Sequence, residues 1–378
     1  MIIVNKDDIS SAVKQAKAMI KPSLLALENS LRFTAKQSRL FICTNSGGVR
    51  FTTMIPCKCD KGKIDFIISV RLISSTLPFF TSESLEFIPD SMKKVVLLKS
   101  TELQVELKTI PLEVWASCKP RANWNIDVPI KAGTLAYLVE RTAYASDTKD
   151  SSDNRAMLNF SITPEGILNV TGLDLYRFAI CTSKDKMDDF TKMSFTIPVK
   201  TLQAILPYLK DEEIVHLKKY TNEYAITSKR VAIYGHTPAA DYYNIASYLT
   251  KYPSNSIRVD RKIFLRCCEV AAITNRTKIS INIGENLMEI SASGNGGKVE
   301  NRMKIDGVVK SKFCVNPLFI MDILKKCPDR EIQMFYSKDG TRPLFFRGND
   351  HIDMGINRYI MDCKLMPTCE QIVHQTLN

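Results

Sequence analysis

From Leu103 to Lys108 apolar and polar residues alternate one for one, Leu103, Val105 and Leu107 against Gln104, Glu106 and Lys108. That is the period of a strand with one buried and one wet face. Near the N-terminus the period changes. Ile9, Val13, Ala16 and Ile20 recur at three and four residues, which predicts an amphipathic helix, and Asn5 with Asp8 three residues on supplies its start. Lys14, Lys17 and Lys21 form a separate stripe on that predicted helix, at i, i+3 and i+7.

The same alternation of periods recurs along the chain. Phe66 to Val70 leads into RLISSTLPFF and then Glu83 to Phe87; Phe195 to Val199 leads into KTLQAILPYL and then Glu213 to Leu217; Phe313 to Val315 leads into NPLFIMDILKKCP and then Glu331 to Phe335. Each reads as a strand end, a short helix closed near a proline, and an acidic residue opening another strand. Val70, Val199 and Val315 stand 129 and 116 residues apart. A second series, Val4, Val128 and Val259, precedes a helical pattern each time, at separations of 124 and 131. A period near a third of the chain predicts three copies of one module, with two helices and antiparallel strands in each, an α+β fold. The boundaries fall near residues 118–125 and 248–256, giving domains 1–122, 123–250 and 251–378. Units this large suit a ring or a pseudo-symmetric assembly better than a solenoid.

The least ordinary local chemistry is Thr171 to Ile180, TGLDLYRFAI. A strand enters a predicted turn on Gly172 and Asp174 and leaves through Tyr176, Arg177 and Phe178. An arginine between two aromatics is a common plug for a hairpin and equally a peptide grip, since flat rings give contact area and the guanidinium gives fixed donors.

This segment resembles the Thr-Asp-Gly-His-Arg-Leu-Ala stretch of the bacterial sliding clamps, the beta subunits of DNA polymerase III, with Asp174, Arg177 and Ala179 at matching places. Three further segments follow in order. Ala239-Ala240-Asp241-Tyr242-Tyr243-Asn244-Ile245 is similar to Phe-Pro-Asp-Tyr-Arg-Arg-Val, without the proline and both arginines. Tyr359-Ile360-Met361-Asp362-Cys363-Lys364-Leu365 is similar to Leu-Ile-Met-Pro-Met-Arg-Leu, and Arg155-Ala156-Met157-Leu158 to Arg-Pro-Val-Leu. The resemblance implies three repeated clamp domains forming half of a closed ring, with a head-to-tail homodimer completing it. It implies a processivity factor that encircles duplex DNA without reading sequence and tethers polymerase and clamp-loader subunits through short peptide motifs. The implied peptide pocket is Leu158, Asp174, Tyr176, Arg177, Phe178, Ala240, Tyr242, Asn244, Ile245, Ile360, Met361, Cys363 and Leu365. The implied closing edges are Val105 and Leu107 in the first domain against Ile273 and Thr274 in the third. Thirteen residues after Leu365 exceed the family's usual end.

Charge extends this picture. The chain of 378 residues has a formal net charge of +12, which favours a polyanionic partner. The cations are dispersed over the predicted helices: Lys14, Lys17, Lys21, Lys131, Arg141, Lys200, Lys262, Arg266, Lys325 and Lys326. If the helices line one channel, their faces add into a sheath that tracks phosphates. No recognition helix, aromatic stacking motif or zinc finger marks the sequence. A net charge of +12 is atypical of the clamp family and points to a divergent or mobile-element copy.

Other classes find little support. Four histidines lack ligand spacing, and neither H-E-x-x-H nor G-x-S-x-G occurs. Ser46-Gly47-Gly48 and the glycines at 294 to 297 read as turns, since no Lys-Ser/Thr follows them. Eleven cysteines without a C-x-x-C pair predict buried thiols and no metal. No cofactor is expected. No run of eighteen apolar residues exists and the N-terminus lacks a basic leader pattern, so the expectation is a cytoplasmic protein without membrane contact. The alternatives to a clamp are a basic nucleic-acid-processing enzyme with scattered carboxylates, or a nonspecific DNA-coating protein.

Overall fold

A computed structural model describes residues 1–356 except 61, 116–120, 148–152, 175, 188–192, 244–252, 295, 308, 341–342 and 349–352, and none beyond 356. One order of elements recurs three times among the described residues. The first pass runs β1 (Ile2–Asn5), α1 (Lys6–Ala18), β2 (Ser30–Lys36), β3 (Arg39–Ser46), β4 (Val49–Pro56), the short β5 (Lys58–Cys59), β6 (Lys63–Ser69), α2 (Val70–Thr76), β7 (Ser84–Asp90), β8 (Val95–Lys99) and β9 (Gln104–Ile110). The second runs β10 (Ile126–Lys131), α3 (Ala132–Thr142), β11 (Met157–Ile162), β12 (Ile167–Leu173), β13 (Arg177–Lys186), β14 (Met193–Pro198), α4 (Val199–Ile205), β15 (Ile214–Tyr220), β16 (Glu223–Thr227) and β17 (Val231–His236). The third runs β18 (Asn255–Asp260), α5 (Arg261–Thr274), β19 (Ile279–Ile283), β20 (Leu287–Gly294), β21 (Gly297–Lys304), β22 (Ser311–Val315), α6 (Pro317–Lys326), β23 (Glu331–Tyr336), β24 (Leu344–Arg347) and β25 (Asp353–Ile356). Leaving β5 aside, each pass is strand, helix, four strands, helix, three strands. Both valine series sit at its two strand-to-helix passages.

Local chemistry sets the helix starts. Asn5 accepts from the backbone N–H of Asp7 and Asp8, Asp260 from Lys262 and Ile263, and Asn316 from Leu318, so orphan donors at three starts find side-chain acceptors. The first helix ends earlier than its sequence pattern suggests. Met19 is its C-cap, which puts Lys21 beyond the helix, with its backbone N–H donating to Ser46 Oγ at 3.1 Å. The Gly47-Gly48 turn between β3 and β4 has φ of 55° and 76°, the left-handed pair that a two-residue hairpin loop requires.

By compactness the chain divides into two units. The first is 1–139, 151–154 and 195–241; the second is 140–150, 155–194 and 242–378. In the first unit one sheet runs in the order β10-β15-β16-β17-β4-β3-β2-β6-β9-β8-β7-β1-β5. Phe33, Phe66 and Phe87 stack in its core at centroid distances of 5.1 to 6.0 Å, and α1 buries Ile9, Val13 and Ala16. In the second unit β11-β12-β13-β25-β24-β23-β18 form one continuous order and β21-β20-β19-β22 another sheet. Here α5 buries Phe264, Cys268 and Ala271, and α6 buries Ile320, Ile323 and Leu324.

Each unit contains one joint between passes, and the two joints use corresponding strands. β17, the last strand of the second pass, pairs with β4 through Val231–Thr53 and Ile233–Phe51. β25, the last strand of the third pass, pairs with β13 through Phe178–Gly355 and Ile180–Asp353. β4 and β13 hold the same place in the repeat.

Candidate functional site

The turn opened by Asp174 is built as the sequence suggests, with one difference. Gly172 lies inside β12, paired with Leu158 and Ala179, and is not a turn residue. A Cβ on Gly172 would meet the Thr142 carbonyl oxygen at 2.4 Å, so glycine serves close approach there. Asp174 makes the turn. Its Oδ1 accepts from the N–H groups of Tyr176 and Arg177 at 3.0 and 2.9 Å, an Asx arrangement.

Arg177 follows, and its guanidinium is held from two sides. Nε donates to Asp174 Oδ2 at 2.9 Å and a terminal nitrogen donates to Asp322 Oδ2 at 2.5 Å. Its plane lies 4.7 Å from the Phe319 ring centroid and 5.7 Å from that of Tyr144. The side chain is 13% exposed. Arg177 is thus committed to positioning β13 against α6, with little left to grip a peptide directly. Asp322 and Phe319 escaped sequence reasoning; their i, i+3 spacing on α6 was the available signal. Tyr144 is half-buried, but its hydroxyl is buried without a hydrogen-bond partner among the described residues, and that burial pushes its ionisation well above the usual phenol range.

The apolar part gathers on the neighbouring strands. Leu173, Phe178 and Phe345 form a buried cluster with Ile180, Tyr242 and Phe335 against it. Phe178 meets Phe345 edge to face at 5.8 Å. Tyr242 donates its hydroxyl to the Thr171 carbonyl at 3.3 Å, and burial raises that phenol's ionisation. Leu158 is fully buried beneath Gly172. Tyr176 is the exposed member, 58% accessible, with its ring 6.3 Å from that of Phe319. The structure therefore brings together Leu158, Asp174, Tyr176, Arg177, Phe178 and Tyr242. Ala240 belongs to the first unit, where its carbonyl accepts from Asn154 Nδ2 at 3.0 Å. Asn244, Ile245, Ile360, Met361, Cys363 and Leu365 lie outside the described residues.

Three of the predicted cationic residues are ion-paired. Lys131 pairs with Glu212, Lys325 with Glu269 and Lys326 with Glu140, at 3.0 to 3.4 Å. Lys14, Lys17, Lys200, Lys262 and Arg266 are exposed and have no carboxylate partner among the described residues. Arg141 is half-buried on α3 and Lys21 half-buried beyond α1. At the expected closing edges, Ile273 is 84% exposed whereas Leu107 is 3% exposed and points into the core; Val105 is half-buried. Along residues 104–108, β9 pairs only with β8 among the described residues, and β21 only with β20. Thr274 packs at the end of β20, its carbonyl oxygen 2.5 Å from where a Gly294 Cβ would stand. No group of three potential metal ligands occurs among the described residues, and no described helix is long and apolar enough to cross a membrane.

No family model matches the chain and no curated protein matches it. Solved structures do. The DNA polymerase III subunit beta of Pseudomonas aeruginosa superposes with a TM-score of 0.87 at 12% identity, covering 96% of this chain and 100% of that one. The beta subunit of Thermotoga maritima gives 0.86 at 16%, covering 96% and 99%. That of Borrelia burgdorferi, solved in complex with a natural product, gives 0.87 at 14%, again covering 96% and 99%. Over almost its whole length the chain has the fold of the bacterial DNA polymerase III beta subunits.

Proposed function

We propose that the chain is a DNA sliding clamp, a non-enzymatic processivity factor in which each subunit contributes three domains, 1–122, 123–250 and 251–378, to a ring around duplex DNA. The observation that carries this reading is the likeness at TM-score 0.87 spanning 96% of this chain and 100% of a DNA polymerase III beta subunit. It matches the whole architecture and not one superfold module.

The repeat supplies the closure. Wherever the last strand of one pass meets another pass, it pairs with the strand at the β4 position. By that rule β9 of one copy pairs with β21 of a second, head to tail, and a two-fold ring satisfies both open edges at once. Ile273 and Thr274 flank this edge. The exposed Lys14, Lys17, Lys200, Lys262 and Arg266 then meet phosphates without reading bases.

The apolar cluster around Phe178 and Tyr242, with Tyr176 at its mouth, receives an extended peptide from polymerase or clamp-loader subunits. The resemblance assigns Ile245, Ile360, Met361 and Leu365, which lie outside the described residues, to the same cleft. Aromatic and aliphatic side chains converging around one fixed arginine suit a leucine or phenylalanine anchor. The protein works in the cytoplasm, on DNA, without cofactor or metal. Truncating Met361 and Leu365 together to alanine tests the cleft: polymerase C-terminal peptide should bind about 1–3 kcal/mol more weakly while dimer and DNA loading persist. Unchanged peptide affinity would refute the assignment. Metal-dependent cleavage of DNA by the pure protein would favour a nuclease instead.

A further inference from the structure

The repeat places a second cleft at the first joint. In the second unit the candidate peptide site lies at the β13–β25 joint, formed by the turn before β13 and the segment around Tyr242. The corresponding positions in the first unit are the β3–β4 turn, the segment before β10 and the end of β17. They line a cavity of about 340 Å³ that includes Arg50, Arg121, Trp124, Tyr234 and His236. A second cavity of about 310 Å³ shares Gly48, Tyr224 and His236 with it and brings Lys21 and Lys200. The two read as one continuous trough.

Its chemistry differs from that of the peptide site. Trp124 and Tyr234 stack with centroids 6.4 Å apart and planes inclined by 23°, and both rings are half-buried. Arg121 lies 3.8 Å from the Tyr220 ring centroid and pairs with Glu223 at 2.6 Å. Glu223 is thereby neutralised, and it is the sole carboxylate among the described lining residues. Lys21, Arg50 and Lys200 also line the trough. The floor is rigid. Tyr224 is fully buried, its hydroxyl bonded to Thr201 Oγ1 at 3.0 Å, and its ring lies where a Gly235 Cβ would intrude, 2.6 Å from the hydroxyl oxygen.

We infer that this trough binds single-stranded nucleic acid, stacking a base on Trp124 and setting the adjoining phosphates against Lys21, Arg50 and Lys200. Cations beside an aromatic ring are what a single strand requires. A cavity of about 340 Å³ has room for a base with its phosphate. This binding goes beyond the clamp reading and needs neither a closed ring nor a loader.

Trp115 and Trp124 are the two tryptophans of the chain, so in W115F the emission of Trp124 reports alone. Titration of W115F with (dT)8 should quench it saturably, and less so as salt rises. Anisotropy of labelled (dT)8 on the otherwise unaltered chain should show Trp124→Ala binding roughly five- to hundredfold more weakly, with Trp124→Phe close to the parent. Lys200→Ala should weaken binding and shallow its salt dependence. No quenching, equal affinity of Trp124→Ala, or tighter quenching by an oligoglutamate peptide would each overturn the inference. An Ile273→Asp monomer separates it from the ring: that variant should lose retention on circular DNA yet bind (dT)8 as the parent does.

Discussion

At the scale of residues, the turn at Asp174 organises its own surroundings. One carboxylate closes the turn through two N–H groups and fixes Arg177, whose other side is fixed by Asp322. On the proposed clamp function, contact with a peptide falls to Tyr176 and to the apolar cluster. Tyr176→Ala should therefore leave stability within about 0.5 kcal/mol and weaken peptide binding by about 1–2 kcal/mol, measured by thermal melting and by titration. Tyr144 offers the opposite case, a buried hydroxyl with no partner among the described residues. Tyr144→Phe should be neutral or stabilising by up to about 1 kcal/mol. In the first unit burial alone would raise the Asp65 carboxyl, but hydrogen bonds from Arg32 and Thr34 and the charges of Arg32 and Lys63 outweigh it and hold it below the usual range. A depressed carboxyl stabilises the fold above the ordinary carboxylate pKa, and that contribution is lost as pH falls through its folded value. Asp65→Asn should cost about 1–3 kcal/mol at pH 7 and flatten the acid limb of stability against pH in urea titrations.

At the scale of elements, most of the fold was legible. Six strand-to-helix passages fell where the two valine series put them, because hydrophobic period and capping residues act locally. The end of α1 was missed: Ile20 and Lys21 keep a helical period, but the backbone of Lys21 is held by Ser46, a contact no local pattern encodes. Gly172 was taken for a turn because glycine usually marks one; the Thr142 carbonyl that demands it is remote in sequence. The Asp174 turn was readable from six residues, whereas Asp322, Phe319 and the Trp124 trough depend on side chains far apart in the chain. The alternation at Leu103 to Lys108 marks the strand, and the resemblance put its Val105 and Leu107 at the closing edge. Leu107 faces the core, so Leu107→Asp should cost more than about 3 kcal/mol. Ile273→Asp, on an exposed position, should keep the melting temperature and give monomers by light scattering at low protein concentration. A stable Ile273→Asp dimer would remove the β9–β21 closure.

At the scale of the whole molecule, a net charge of +12 is spread over helices and strands, as suits contact that tracks phosphates and leaves bases unread. Replacing Lys14 and Lys17 with alanine should shallow the log–log salt dependence of duplex binding by up to about 1.8, without changing base preference. Encirclement is the central claim, and topology tests it most directly. The protein should stay with nicked circular DNA through gel filtration in high salt and be released when one restriction cut linearises the circle. Equal retention on circular and linear DNA would mean that it coats the duplex, and the ring account would be wrong.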